Sequence, residues 1–259
     1  MSQTLSIATW NVNSLRVRLP QLAEWVAASK PNIVALQETK LPDPDFPRAE
    51  IEGLGYHVAF SGQRTYNGVA ILSREPIELL ATALPGFVDE QRRVLAVRTA
   101  GITVVDLYVP NGQAPDSDKY AYKLRWLEAL ERWLIAELAG HGELVVLGDF
   151  NIAPEDRDVH DPAAWVGSVH VSPAERAAYR RLLDAGLVDV FRRFEQAEKS
   201  FSWWDYRAAG FRRNAGLRID LILASAALAE RCRACRIDRE PRKAGRPSDH
   251  APVIAEFER

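Results

Sequence analysis

Several features that mark whole protein classes are missing from this chain. No segment approaches the roughly 18 consecutive apolar residues of a membrane-spanning helix. The first residues, MSQTLSIATWN, have neither a basic n-region nor an apolar h-region, so no signal peptide is expected and a cytoplasmic location is the default. Charge is balanced, with 33 basic and 35 acidic residues and a formal net charge of −2. No global basic field therefore advertises nucleic acid, although local patches still can. Cysteine is scarce. The two present, Cys232 and Cys235, stand as C-x-x-C in ERCRACR, with no second pair to complete a zinc site. A redox motif belongs at the start of a helix, whereas this one follows the helical run SAALAERC, so two small core hydrophobes are expected. Internal repeats, low-complexity tracts and Pro/Gly/Ser-rich linkers are absent as well. One domain over residues 1–259 is expected, and a chain of this length buries a sizeable core.

What is present is ordinary for a globular protein: 47% hydrophobic and 26% charged residues. Nine runs read as buried or half-buried strands: LSIATWNV, IVALQE, YHVAFS, GVAILS, VLAVRT, ITVVDLYV, LVVLGDF, IDLILA and APVIAEFE. Helical patterns lie among them in LPQLAEWVAAS, in DKYAYKLRWLEALERWLIAEL with Gly140 as its stop, and in SPAERAAYRRLLDAG. The last has Ser172 as N-cap, Pro173 at the first position, Glu175 closing a capping box and Gly186 as stop. Many strands with helices among them predict packed sheets covered outside by helices.

The informative feature is where the oily strands stop. They end in Asn11 and Asn13, in Gln37 and Glu38, in Tyr108 and Asn111, and in Asp149 and Asn151. Asp220 lies inside an apolar run, and Asp249 and His250 precede the last strand. Strand periodicity puts positions i and i+2 on one face, so LVVLGDFN should deliver Asp149 and Asn151 side by side. Gly-Asp-x-Asn also reads as a plain turn with local backbone bonds. Six segments behaving alike argue for a convergent acid- and amide-rich site, because a buried carboxylate is costly unless paired, hydrogen-bonded or bound to metal.

Oxygen ligands such as Glu38, Asn11 and Asp249 suit Mg²⁺ or Mn²⁺. A histidine beside carboxylates can be held in one tautomer and donate to an oxyanion. There is no Gly-x-Ser-x-Gly nucleophile and no Gly-x-x-x-x-Gly-Lys phosphate loop. Metal-assisted attack of water on a phosphoester fits best.

The ordered set TWNVNS, LQETK, YVPNG, GDFNIAP, GLRIDLILAS and PSDHAPV resembles the exonuclease III family of DNA repair nucleases, from about Trp10 to Val253. The resemblance implies a four-layered α/β sandwich of the deoxyribonuclease I type: two mixed sheets face to face, with helices outside. It implies a Mg²⁺-dependent phosphodiesterase, with Mn²⁺ as substitute, acting as a monomer on duplex DNA at abasic sites and blocked 3′ ends. Glu38 becomes the main metal ligand, with Asn11 beside it. Asp149 orients or deprotonates the attacking water, and Asn151 holds the water or the substrate. His250 and Asp220 form a pair facing the phosphate, and Asp249 serves a second metal position or the water. Tyr108 donates to the phosphate or the leaving oxygen. Whether Asp149 or a group acting through His250 is the base stays open.

DNA recognition is expected in FSWWDYRAAGFRRNAGLRID, which interleaves aromatics with Arg207, Arg212, Arg213 and Arg218. By the resemblance, Trp203, Trp204 and Leu217 line a pocket for a flipped-out sugar. Relatives often carry a small residue where His170 stands. An imidazole there would obstruct a strand continuing past an abasic site, or stack on a terminal base, and bias the enzyme towards 3′-end processing. Two other readings compete. One is a lipid-headgroup phosphatase of the same superfamily, which the lack of an amphipathic membrane-binding stretch argues against. The other is a DNA-binding module without catalysis.

Overall fold

The computed structural model describes residues 4–140 and 142–259. One six-stranded sheet contains β1 (Thr4–Asn11), β2 (Ile33–Gln37), β3 (His57–Ser61), β4 (Val69–Ser73), β13 (Cys232–Ile237) and β14 (Val253–Glu258), in the order β13-β14-β1-β2-β4-β3. The other contains β5 (Glu78–Ala81), β6 (Val94–Thr99), β7 (Ile102–Tyr108), β8 (Leu144–Asp149), β9 (Leu187–Asp189) and β12 (Asp220–Ser225), in the order β5-β6-β7-β8-β12-β9. A short ribbon, β10 (Trp203–Trp204) with β11 (Gly216–Leu217), stands apart. Both sheets are mixed. Each has a parallel pair near its middle, β1 with β2 and β7 with β8.

The inner faces of the two sheets meet in one core through Ile7, Ile33, Ile71, Val97, Val104, Val145, Ile222 and Val253. Helix α1 (Leu15–Ser29) and the short α2 (Arg48–Gly53) cover the outside of the first sheet with Leu22, Val26 and Ile51. Helices α3 (Asp118–Gly140) and α5 (Pro173–Asp184) cover the second with Trp126, Leu130, Tyr179 and Leu182. The remaining helices, α4 (Pro162–Trp165) and α6 (Ala226–Glu230), are single turns. This is the four-layered sandwich of the deoxyribonuclease I type. It explains why β2, β4 and β8 read as unbroken apolar runs, since strands covered on both faces have no solvent side to alternate with. Among the described residues, no helix is long and apolar enough to cross a membrane.

Two local departures from the sequence pattern have physical reasons. Helix α1 starts four residues before LPQLAEWVAAS, with Pro20 inside it. Ser14 and Leu15 donate their backbone N–H groups to the carbonyls of Glu38 and Thr39, so tertiary partners replace the missing cap. The C-x-x-C segment is a sheet strand, β13. A bulge between Cys232 and Ala234 brings both cysteines to the core side, where they are buried and free. Burial pushes both thiols up, which disfavours the reactive thiolate.

Candidate active site

The two parallel pairs end at one place. Asn11 and Gln37 close β1 and β2 in register. Tyr108, Asp149 and Asp220 occupy one row across β7, β8 and β12. Gly148 makes this row possible. Its φ is +142°, and a Cβ there would lie 1.9 Å from the Leu107 carbonyl oxygen, so only glycine lets β8 approach β7 just before Asp149. Past the strand ends the chain turns left-handed at Glu38 (φ 53°) and Asn151 (φ 50°). Asn151 is thus not a simple strand neighbour of Asp149. Its N–H donates to Asp149 Oδ1 at 2.9 Å, so the turn and the site are the same structure. Gln37 faces inward, donating to Thr9 and Asp106 between the sheets, and leaves Glu38 to face the site.

Asn11 is the junction. Its Nδ2 donates to Glu38 Oε1 at 2.8 Å and to Asp149 Oδ2 at 3.0 Å. On the far side, His250 Nδ1 lies 2.9 Å from Asp220 Oδ2, while Nε2 is 3.8 Å from Asp149 Oδ2. Burial would lower the imidazole, but the Asp220 and Asp149 carboxylates outweigh it and push it up to about 10. Burial pushes the Asp149 carboxyl up to about 7, with the His250 charge pulling against it. Burial, then Glu38 and Asp149, hold the Tyr108 phenol well above its usual value, and the Arg93 guanidinium lies over its ring at 4.6 Å. Ligand atoms of Glu38, Asp149 and His250 all lie within 4.8 Å of one another, a grouping that could hold a metal ion. The donor chemistry favours the oxygen side. Glu38 is a half-buried carboxylate, whereas His250 is committed to Asp220.

Other expected residues lie where their roles need restating. Asp249 stands outside that grouping. Its Oδ1 accepts from Asn13 Nδ2 at 2.9 Å and its Oδ2 from Trp203 Nε1 at 3.0 Å. It links the site to the partly exposed Trp203. Trp204 and Leu217 are fully buried, Trp204 edge-on to Phe211 at 5.0 Å and Leu217 packed with Val159 and Ile219. Arg212 and Arg213 are exposed. Arg218 is a correction. It is 1% exposed, with Nε 2.7 Å from Asp158 and Nη2 2.8 Å from Asp189, and cannot reach a phosphate without abandoning two buried carboxylates. His170 is a second correction. It is buried, with Nδ1 2.7 Å from the Asn151 carbonyl and Nε2 3.4 Å from Asn111 Nδ2, so it stands beneath the groove and not in a strand's path. Sequence reasoning passed over Lys40, whose ammonium lies 2.8 Å from Glu38 and 2.5 Å from Asn13 Oδ1.

A face-to-face mixed-sheet sandwich, with carboxylates, amides and an imidazole gathered at the ends of its parallel pairs, defines a deoxyribonuclease I-like hydrolase. The chain belongs to the endonuclease/exonuclease/phosphatase family, whose family model matches residues 8–250. It is 37% identical to exodeoxyribonuclease III of Haemophilus influenzae, over 98% of this chain and 100% of that protein. The structure of a 3′ phosphatase from Neisseria, NExo, bound to product DNA hairpin, superposes with a TM-score of 0.94 at 47% identity, covering 98% of this chain and 100% of that one. An AP endonuclease from Archaeoglobus fulgidus gives 0.95 at 43% identity, over 98% and 99%.

Proposed function

We propose that this chain is a metal-dependent DNA repair phosphodiesterase of the exonuclease III type, acting as one catalytic unit over residues 1–259. Its substrates are duplex DNA with blocked 3′ ends or abasic sites, its metal is Mg²⁺ with Mn²⁺ as substitute, and it works as a cytoplasmic monomer. The observation that carries the reading is the Asn11 bridge between Glu38 and Asp149, set opposite the His250–Asp220 pair. A divalent ion held by Glu38 with Asn11 would neutralise phosphate charge and help acidify the attacking water. Asp149, poised near neutrality, orients that water and takes its proton. His250, kept protonated by Asp220, directs Nε2 at a phosphate oxygen and stabilises charge developing there. Asn151 and Tyr108 orient the phosphate and the leaving oxygen. Trp203, with Leu217 packed behind it, forms the sugar-side wall, while Trp204 anchors the opposite face of the ribbon against Phe211, and Arg212 and Arg213 contact the DNA backbone.

The solved relatives include both a 3′ phosphatase and an AP endonuclease at comparable identity, so overall likeness does not rank the two activities. A 3′-end specialist is the second reading. It rests on His170, which acts through Asn111 at the groove surface. The test is a paired cleavage assay with Mg²⁺, using a duplex nicked at a 3′-phosphate and a duplex with an internal abasic-site analogue. Cleavage of both supports the general enzyme, and cleavage of the first alone supports the specialist. Cleavage of neither, or turnover that persists in EDTA, sinks the proposal.

A further inference from the structure

Beneath the site, α3, α5 and the loop before α5 meet in a buried polar cluster whose ion pair, Lys123 with Glu175, no step above uses. Lys123 projects from α3 and is completely buried. An ammonium carries three hydrogens, and here each has a partner: the Glu175 carboxylate, the Asn151 carbonyl at 2.7 Å and the Asn111 carbonyl at 3.2 Å. Glu175 is also completely buried. The oxygen facing Lys123 accepts the His170 N–H at 2.9 Å, and its other oxygen accepts from Ser172 Oγ at 2.6 Å and Ser172 N at 3.1 Å. His170 returns to the Asn151 carbonyl through Nδ1.

The Lys123 and His170 branches of this cluster end on two asparagines, while the Ser172 branch runs to the Tyr120 hydroxyl. The Asn151 carbonyl takes Lys123 and His170 together, and its side chain meets the Asn111 amide at 3.3 Å. Helices α3 and α5 already pack through Trp126, Leu130, Ala178 and Leu182. A buried ion pair is often replaceable by apolar side chains without loss of stability, so holding the helices together does not by itself call for one. What the pair supplies that packing cannot is a fixed hydrogen-bond direction on two backbone carbonyls. We infer that Lys123 and Glu175 are positioning residues: the pair sets the Asn111 and Asn151 peptides, and so aims both amides at the phosphate. The inference rests on the phosphodiesterase reading for its kinetic consequence.

The test is the double variant Lys123→Met with Glu175→Leu, which removes both charges together. The expected result is a cooperative fold, a kcat on the 3′-phosphate duplex lowered about 10- to 100-fold and an unchanged KM. In the metal-free protein, the side-chain amide resonances of Asn111 and Asn151 should shift while those of Asn67 stay. Wild-type kcat with unmoved resonances overturns the inference, as does a change confined to KM. If the double variant does not fold, Ser172→Ala decides, because it withdraws one donor from Glu175 and leaves the ion pair. Its kcat should fall roughly 3- to 10-fold at constant KM, and wild-type kcat overturns the inference. The resonance measurement needs no substrate, so it decides the positioning claim even if neither duplex is cleaved, an outcome that would sink the functional reading instead.

Discussion

Two buried charge clusters lie in the same sandwich and behave in opposite ways. Around Arg218, each carboxylate is clamped. Asp158 receives Arg218, Arg192 and the Glu155 N–H, while Asp189 receives Arg218, Tyr179 and the Phe191 N–H. Despite burial, these guanidinium partners hold the Asp158 carboxyl below its usual value, and Asp158 and Asp189 push Arg218 up. At the strand ends, burial instead raises Asp149, and its nearest cationic atom, His250 Nε2, stays at 3.8 Å. The same residue types make a rivet in one place, where cations hold each carboxylate, and in the other leave Asp149 with only two neutral donors, Asn11 and the Asn151 N–H. Burial does not separate a structural charge from a reactive one; the number of donors already spent on it does.

The comparison breaks most sharply by substitution. Asp149→Asn should keep the fold and lower kcat by about 10²–10⁴, measured on the 3′-phosphate duplex. Substantial residual turnover by a folded variant would remove Asp149 from its role. Arg218→Met should do the reverse, costing about 3–5 kcal/mol of stability because two buried carboxylates lose their cation. Urea unfolding measures it, and a stable but inactive variant would restore Arg218 to the site.

The pH dependence of stability separates the clusters more finely. The Asp149 carboxyl rises from 3.8 to about 7 on folding, so its contribution is complete below the unfolded value and lost as pH climbs through about 7. His250 rises from 6.5 to about 10, and its contribution is likewise lost with increasing pH, through about 10. Asp158 is lowered, so its contribution is present above 3.8 and lost as pH falls through the depressed value. Calorimetry of metal-free protein should show Asp149→Asn flattening the decline between pH about 4 and 7, and Arg218→Met flattening only the acid limb. The smallest effect belongs to Arg212→Ala, with stability within about 0.5 kcal/mol of wild type and a salt slope of DNA binding reduced by about one. An unchanged slope would remove Arg212 from the DNA surface.

All nine strands read from hydrophobic runs are present, and the polar residues at their ends converge as the shared strand-end pattern implied. That much was legible because strand period and the cost of burying polar groups are local rules. Arg218 was not. GLRID displays an arginine, but its partners Asp158 and Asp189 lie 60 and 29 residues upstream. His170 was placed by loop position alone, and only packing shows the ring turned under Asn111. β13 was hidden by exposed arginines and by the bulge that breaks its alternation. Lys123 did leave a trace: it sits on the apolar helical stripe with Tyr120, Leu127, Leu130 and Leu134, where a charge needs a buried partner.

The order of the first sheet has a consequence for biosynthesis. β1, which carries Asn11, is hydrogen-bonded on one side to β2 and on the other to β14, and His250 comes just before β14. The strand that carries Asn11 therefore waits for a partner made much later in the chain. Until residues through Glu258 are out of the exit tunnel, β1 has an open edge and Asp220 lacks its imidazole. A product truncated before His250 would lack both the strand that pairs with β1 and the imidazole that pairs with Asp220.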